Sequence, residues 1–579
     1  MRTRQILAPA LLLAAALWAF DDQPVVDWMK AHAVRLQTPE AGHGFADMQP
    51  LKKIVGDARI VSLGEATHGT REFFQLKHRM LEFLATEMGF TIFSIEANMP
   101  EAYRLNDYVL NGTGDPAKLL RGMYFWTWDT QEVIDMILWM REFNKSGKGR
   151  VEFTGFDMQT PTVAMEIVRD FIAKRDPDYS ASVRQATTEV NMATPGAAQS
   201  FGVATGRFPI EDAAGKKVRF SGYIKTDAVT RGFAGLWWRV DGASGVLAFD
   251  NMQSRGVTGT TDWKRYEIEL PVAAQATNIN FGALFPGDGT AWFDGLRIEL
   301  DGVPYLDDSA FDLDFESATP RGFYTGGAGY KVQLDNEVFH SGKQSLRMRS
   351  LPKPDESKID PKLVTSSWRQ VIGHLEASRE TYLKQGVTLR EIDWTIQNAR
   401  VVLQSMQMRT NEVSRDQSMA DNVKWILDHS PEAKIVLWAH NGHVSTGSFG
   451  SYGTMGSWLR KTFRSQMVVF GFAFNQGSFQ AIEQGKGLHD FTVAAASAGS
   501  LDSNLAATGI PLFALDLRSA PQSGPVSEWL KAPHPARSIG AIYSEDSAAQ
   551  YMTRLNAPES FDGLLFVEKT TAARKNPGR

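Results

Sequence analysis

Residues 59–95 read RIVSLGEATHGTREFFQLKHRMLEFLATEMGFTIFSI. Arg59–Leu63 is a short apolar run that ends at Gly64, which predicts a buried strand. Phe73, Phe74, Leu76, Met80, Leu81, Phe83 and Leu84 then recur at a helical period, and Gly89 supplies the left-handed stop that ends a helix over 71–88. Thr91–Ile95 is a second β-rich run. Strand, helix and strand at this spacing predict a parallel pair joined by a crossover helix. Val151–Phe156 adds a third strand after a helix that runs to about Asn144, with Asp129 and Glu132 read as its capping box. The resulting fold class is α/β, a mainly parallel sheet flanked by helices.

The rhythm changes between 200 and 352. Val218–Ile224, Gly235–Val240, Tyr266–Leu270, Ile279–Leu284 and Trp292–Ile298 are short runs separated by Gly, Asp, Thr and Asn, the pattern of an antiparallel sandwich. From about 362 the α/β pattern returns. Helical stretches cover roughly 362–385, 389–410 and 415–429, and strand candidates follow at Lys434–Ala439, Val468–Phe474, Leu512–Leu517, Ile539–Tyr543 and Leu564–Val567. Neither α/β part holds a complete sheet by itself. The expected organisation is therefore one discontinuous α/β domain, 20–190 with 360–579, interrupted by an all-β insert at 200–352.

Arg2 and Arg4 precede the apolar run ILAPALLLAAALWA at 6–19, and acidic residues follow at once. That run is shorter than the roughly 20 residues a membrane-spanning helix needs. It fits a signal peptide over residues 1–19, so the expected location is secreted or periplasmic, without stable membrane insertion. The 579 residues carry a formal net charge of -5 and no basic block, which excludes an electrostatic footprint for nucleic acid. There is no cysteine, so disulfides, thiolate metal sites and cysteine nucleophiles are excluded.

In a parallel sheet, ligands gather at the carboxyl ends of the strands. Glu65 and His68 follow the first strand, Glu96 follows the second, Asp157 the third, and His440 and His443 follow Ile435–Trp438. Trp126 and Trp128 lie in a loop before a helix, where they can line the same rim. His32, His78, His374 and His429 fall on helices and read as structural or solvated. The chain has no Gly-x-Ser-x-Gly, no Walker loop and no His-Glu-x-x-His, so the usual esterase serine and the zincin layout are absent. Two chemistries stay open. The Glu and His residues can hold a metal through N and O ligands, or a histidine base can be oriented by carboxylates while water attacks.

Several runs in order resemble the erythromycin esterase family. They are Ser62–Phe73 (SLGEATHGTREF), Ile95–Asn98 (IEAN), Tyr124–Trp128 (YFWTW) and Gly155–Gln159 (GFDMQ). Arg415-Asp416-x-x-Met419, Val436–His443 (VLWAHNGH) and Gly471–Gly477 (GFAFNQG) complete the series. The resemblance covers both α/β parts. It implies an ester hydrolase without metal or other cofactor, with His68 as general base and Glu65 and Glu96 orienting it. It further implies that His440 assists catalysis, with His443, Lys77, Trp126, Trp128 and Asp157 toward the substrate. Lys77 stands where the macrolide-cleaving members carry arginine, which leaves the substrate open between a macrolide lactone and an acylated glycan or metabolite. The insert resembles a carbohydrate-binding jelly roll. Gly289–Ile298 looks like its final strand, while Asp314–Glu316, Tyr330–Val332 and His340–Leu346 look like opening strands, an order that a circular permutation would explain. Trp237, Trp238 and Trp263 are its candidates for stacking on sugar, with at least one of Trp237 and Trp238 in the core. The alternatives are a metal-dependent hydrolase at the same Glu and His site, and a glycan-binding protein without catalysis.

Overall fold

The computed structural model describes residues 22–193, 201–242, 245–306, 310–327, 329–351, 361–447, 453–483 and 487–576. The expected signal peptide at 1–19 lies outside the described residues. The described residues form two compact units, one running up to Pro177 and resuming at Trp368, the other lying between Asp178 and Ser367.

The first unit is built on β1 (Ile60–Leu63), β2 (Ile92–Asn98), β3 (Glu152–Asp157), β4 (Ile435–Trp438), β5 (Met467–Glu483), β6 (Gly487–Val493), β7 (Leu512–Asp516) and β8 (Gly563–Thr570). Their order is β7-β8-β5-β1-β4-β2-β3, with β6 paired to β5 and the two-residue strand Val34–Arg35 on β7. The six strands from β8 to β3 run parallel. The antiparallel pairings are confined to β7 with its two neighbours and the β5–β6 hairpin. β4, which follows the insert in sequence, lies between β1 and β2, which precede it. One sheet is thus assembled from both ends of the chain. β1 and β4 are buried along their whole length, as parallel strands covered on both faces must be, and this is why they read as continuous apolar runs.

The helix Arg71–Met88, α1, has its expected limits and ends on Gly89 at φ 73°. Two further helices are α2 (Met99–Asn111) and α3 (Gln131–Lys145), with the short helix Pro116–Arg121 between them. Thr130, not Asp129, caps α3, its hydroxyl accepting from Val133 N at 3.3 Å. The expected capping box fails because both acidic side chains have other partners. Asp129 accepts from Asn576 and Glu132 from Arg574. Ile539–Tyr543 is not a strand; it makes only isolated bridges, Ile539 to Thr67 and Ile542 to Ile482. The stretch expected as one helix over 362–385 is two, Pro361–Ala377 and Arg379–Lys384. Beyond them lie α4 (Leu389–Arg409) and α5 (Arg415–Asp428). Among the described residues, no helix is long and apolar enough to cross a membrane.

The second unit contains an antiparallel sheet of ten strands. The two runs expected at 218–224 and 235–240 are opposite ends of one long strand, Lys217–Gly242. Its first half pairs with Thr290–Leu300 and its second half with Ala276–Phe285. Irregular register through Thr226–Ala234 marks the bend that lets one strand serve both faces. Asp314–Glu316 is a turn rather than an opening strand, since buried Phe315 takes φ 58°, outside the strand region. Trp238 is in the core with Phe220 and Phe281. Trp237, one residue along and so on the opposite face, lines a cavity of about 570 Å³ with Phe233, Phe249, Arg239 and Asn251. Trp263 meets His340 edge-on at 5.8 Å.

Candidate active site

Gly64 leaves β1 where a side chain would collide with Asn441. That close approach lets Asn441, just after β4, bind the β1 loop and β5 together. Its N–H donates to Glu65 O at 2.8 Å, and its side-chain amide exchanges bonds of 2.8 and 3.0 Å with the backbone of Phe472. The ends of β1, β4 and β5 are thereby fixed around Glu65.

Glu65 is fully buried, and three donors surround its carboxylate. His68 Nδ1 lies 2.7 Å from Oε1, while Lys77 Nζ at 2.7 Å and Trp438 Nε1 at 2.8 Å donate to Oε2. Burial alone would raise its pKa, but the Lys77 charge and the His68 hydrogen bond outweigh it and hold the carboxyl below its ordinary value. Burial pulls the Lys77 ammonium down to about 8 against the opposing pull of Glu65. Lys77 also sits 4.4 Å over the Trp438 ring. Lys77, expected toward the substrate, is completely enclosed beneath Glu65 and meets no solvent-facing surface. The helical spacing that puts it below the histidine loop also buries it.

The carboxylate beside Nδ1 requires a proton there. In neutral His68 the lone pair therefore lies on Nε2. His440 has the opposite arrangement. Gly442 N–H donates to its Nδ1 at 3.1 Å, and its own backbone N–H donates to Glu96 Oε2 at 3.0 Å. Burial, then the neighbouring His68 and His443, push its pKa down to about 3, so the ring is neutral and its one proton is on Nε2. That N–H is buried without a partner among the described residues. The His68 and His440 rings lie 5.1 Å apart, and each residue is 9% exposed. One imidazole carries a lone pair on Nε2 and the other an unpartnered Nε2–H.

Trp128 packs against His68. Its ring stands at right angles to His68 at 6.0 Å, and its indole N–H donates to Glu96 O at 3.0 Å. It is buried, whereas Trp126 is partly exposed. Behind His440 lies an ionic network that the sequence reading did not assign. Arg415, at the start of α5, donates to Glu96 Oε1 at 2.7 Å and to both Asp157 oxygens at 3.2 and 2.7 Å. Its Nη1 is 3.0 Å from His443 Nε2, while His443 Nδ1 lies 2.9 Å from Asp416. Burial would raise the Glu96 pKa, but His443 and Arg415 hold it well below the carboxylate range. Asp157, also expected toward the substrate, is fully buried and spent on Arg415, Met158 N and Gln159. The structure thus brings Glu65, His68, Glu96, Trp128, His440 and His443 together and sets Lys77 and Asp157 behind them. The run containing Arg415 and Asp416 was visible, but a charged pair opening a helix carries no sign of a partner 258 residues away. Among the described residues, no group of three or more His, Asp or Glu side chains converges for a metal ion.

A family model described as erythromycin esterase matches residues 85–224 and 337–570. The interval between the two matched stretches falls inside the β insert, and Glu65 and His68 precede the first. The protein "Erythromycin esterase type II" of Escherichia coli is 33% identical over 158 residues, 26% of this chain and 37% of that protein. The matched segments span less than half the length of each of the curated relatives. A solved structure of a Bacillus cereus protein aligns with a TM-score of 0.60 at 20% identity, covering 96% of this chain and 99% of that one. A mutant of the erythromycin esterase EreC in its open conformation aligns at 0.50 and 14% identity, covering 91% and 94%. These structures share the fold.

Proposed function

The chain belongs to the erythromycin esterase family, and from that premise we propose that it hydrolyses carboxylic esters with His68 as the base that activates water. The observation that carries this reading is the opposed pair of imidazoles. His68 Nε2 takes a proton from water as the water oxygen attacks the ester carbonyl. Glu65 accepts the Nδ1–H bond and stabilises the imidazolium that results. The unpartnered His440 Nε2–H meets the negative charge that develops on the carbonyl oxygen. When the tetrahedral intermediate collapses, the C–O bond to the alkoxide breaks and the same His68 proton passes to the leaving oxygen. The base, the orienting carboxylate and the oxyanion donor are all side chains of this protein, so the mechanism needs no resident metal or cofactor.

The test is His68→Ala assayed on aryl and acetyl-sugar esters, with circular dichroism to verify folding. The expected result is loss of turnover in a folded protein, with wild-type activity unchanged by EDTA and no stoichiometric metal on elemental analysis. Full activity in folded H68A refutes the mechanism, and one tightly bound metal whose removal stops turnover would assign the site to metal-dependent hydrolysis.

For the substrate we propose a small-molecule or glycan ester. The insert supports the glycan side. The Trp237 cavity joins aromatic faces to the polar side chains of Asn251, Gln253, Thr258 and Arg239, and Trp237 Nε1 is buried without a hydrogen-bond partner among the described residues, features suited to a carbohydrate-binding sandwich. Isothermal titration with neutral oligosaccharides tests it, and a silent titration removes that support. Export is proposed from residues 1–19 alone, and fractionation of cells expressing the full chain checks it.

A further inference from the structure

The His68 loop follows β1 and the Trp128 loop precedes α3, and no strand ladder joins them. One extended segment after β8 touches both. At one end Ala573 N–H donates to Gly69 O at 3.0 Å, Arg71 N–H donates to Thr571 O at 2.9 Å, and Ala572 bridges Thr70. Thr571 adds its N–H and hydroxyl to the Glu72 carboxylate at 2.7 and 2.6 Å. Three residues on, Lys575 bridges Thr130, and Arg574 pairs with buried Glu132 at 2.7 Å. Asn576 then donates twice to Asp129, from its backbone N–H to the carbonyl at 3.2 Å and from Nδ2 to Oδ1 at 2.6 Å. Its Nδ2 also donates to Ala117 O at 3.2 Å, and the residue is 1% exposed.

The chain neighbours contacted are the informative ones. Gly69 follows His68, and Asp129 follows Trp128, whose ring flanks His68 and whose indole holds the Glu96 backbone. We propose that Thr571–Asn576 is a strap that sets the spacing between His68 and Trp128, and that Asn576 is a positioning residue acting through Asp129. The kinetic side of this rests on the esterase reading; the geometric side does not. Asparagine suits the place because its amide supplies donors to a carboxylate and a carbonyl together. An aspartate there would set two carboxylates against each other, so Asn576→Asp should be more damaging than Asn576→Ala.

The experiment uses the full chain with Asn576→Ala, Asn576→Asp and Arg574→Ala. Three readouts are taken: kcat and KM on an aryl acetate, the thermal midpoint, and the titration of the His68 imidazole followed by proton–nitrogen NMR. Because displacement of a catalytic group by about 1 Å can cost up to ~100-fold in rate, the expected result for N576A is a loss of about ten- to a hundredfold in kcat. KM should change little, and the His68 titration should shift while the fold is retained. If N576A does not fold, R574A carries the test with the same expectation. A folded variant with a lower thermal midpoint but unaltered kcat and His68 titration overturns the proposal. Absence of ester turnover in the wild type would sink the esterase reading, and the His68 titration would still decide the strap.

Discussion

Replacing Glu65 by glutamine changes one atom and should reverse the tautomer of His68. The carboxylate accepts from Lys77 and Trp438 on one oxygen and from His68 on the other. Glutamine has a single acceptor. If its oxygen faced His68, its amide would confront an ammonium and an indole N–H, leaving two buried donors unsatisfied. Each costs about 1–3 kcal/mol, and the charged one more. Turned the other way, the oxygen serves Lys77 and Trp438 while the amide donates to His68 Nδ1. That orientation wins by several kcal/mol and forces the imidazole proton onto Nε2, so the base loses the lone pair it needs. A wrong-tautomer histidine in a comparable hydrolase costs about 10⁴ in rate, and a fall of roughly 10³–10⁴ in kcat/KM is expected for E65Q. Loss of the carboxylate charge also leaves Lys77 buried without a counter-ion, a destabilisation of about 3–5 kcal/mol. Without Glu65 to hold it up, the Lys77 ammonium falls below the value of about 8 it has beside the carboxylate, and deprotonation relieves the strain as pH rises through that lower value. The assay is kcat/KM against pH on an aryl ester, with nitrogen-15 NMR to locate the imidazole proton. E65Q within tenfold of wild type, or an Nδ1–H tautomer in the variant, would refute the reasoning.

His78 and His440 are both held near 3 in the folded chain, chiefly by burial. At these two residues the unfolded chain binds more protons below about pH 6.5, and the stability they contribute is lost as pH falls, by about 1.4 kcal/mol per pH unit for each group. Buried Glu101 and Asp502, each raised to about 7, take up protons in the folded chain over the same range and oppose this. The test is therefore a difference: urea midpoints from pH 7 to 5 should fall less, or rise more, in His78→Asn than in the wild type, and the same pH dependence in both contradicts this. Arg415→Met leaves Glu96 and Asp157 buried without their cation and should cost about 3–5 kcal/mol in denaturant unfolding. Arg415→Lys should recover only part of that, since an ammonium lacks the planar fork that reaches two carboxylates. Trp238→Ala removes a fully buried ring from the β core and should cost about 3–5 kcal/mol, read by calorimetry.

Much of the site's position was legible because it follows from topology. β1 and β4 are apolar runs, buried on both faces, and the residues just past their ends had to reach the same rim once the strands were parallel. Glu65, His68 and His440 were singled out on that ground, and the structure places them together. The positions whose surroundings were not legible share a physical cause. Lys77 and Asp157 carry charges that suggest substrate contact, but both are buried against an opposite charge, and the partner is what decides their role. Asp129 and Glu132 had the spacing of a capping box, yet their partners, Asn576 and Arg574, lie more than 400 residues on. Local spacing cannot register a competitor at that distance.

The sequence by itself determined the alternation of strands and helices, the change of rhythm at the insert, and the set of titratable residues at the strand ends. These depend on periodicity and on the direction of parallel strands, both of which are local. Only the tertiary structure decided which atom of each residue is free. Placing β4 between β1 and β2 sets His440 opposite His68, and the hydrogen bonds made by Glu65 and Gly442 then fix a lone pair on one ring and a proton on the other. A tautomer is set by neighbours in space, and those neighbours arrive from opposite ends of the chain.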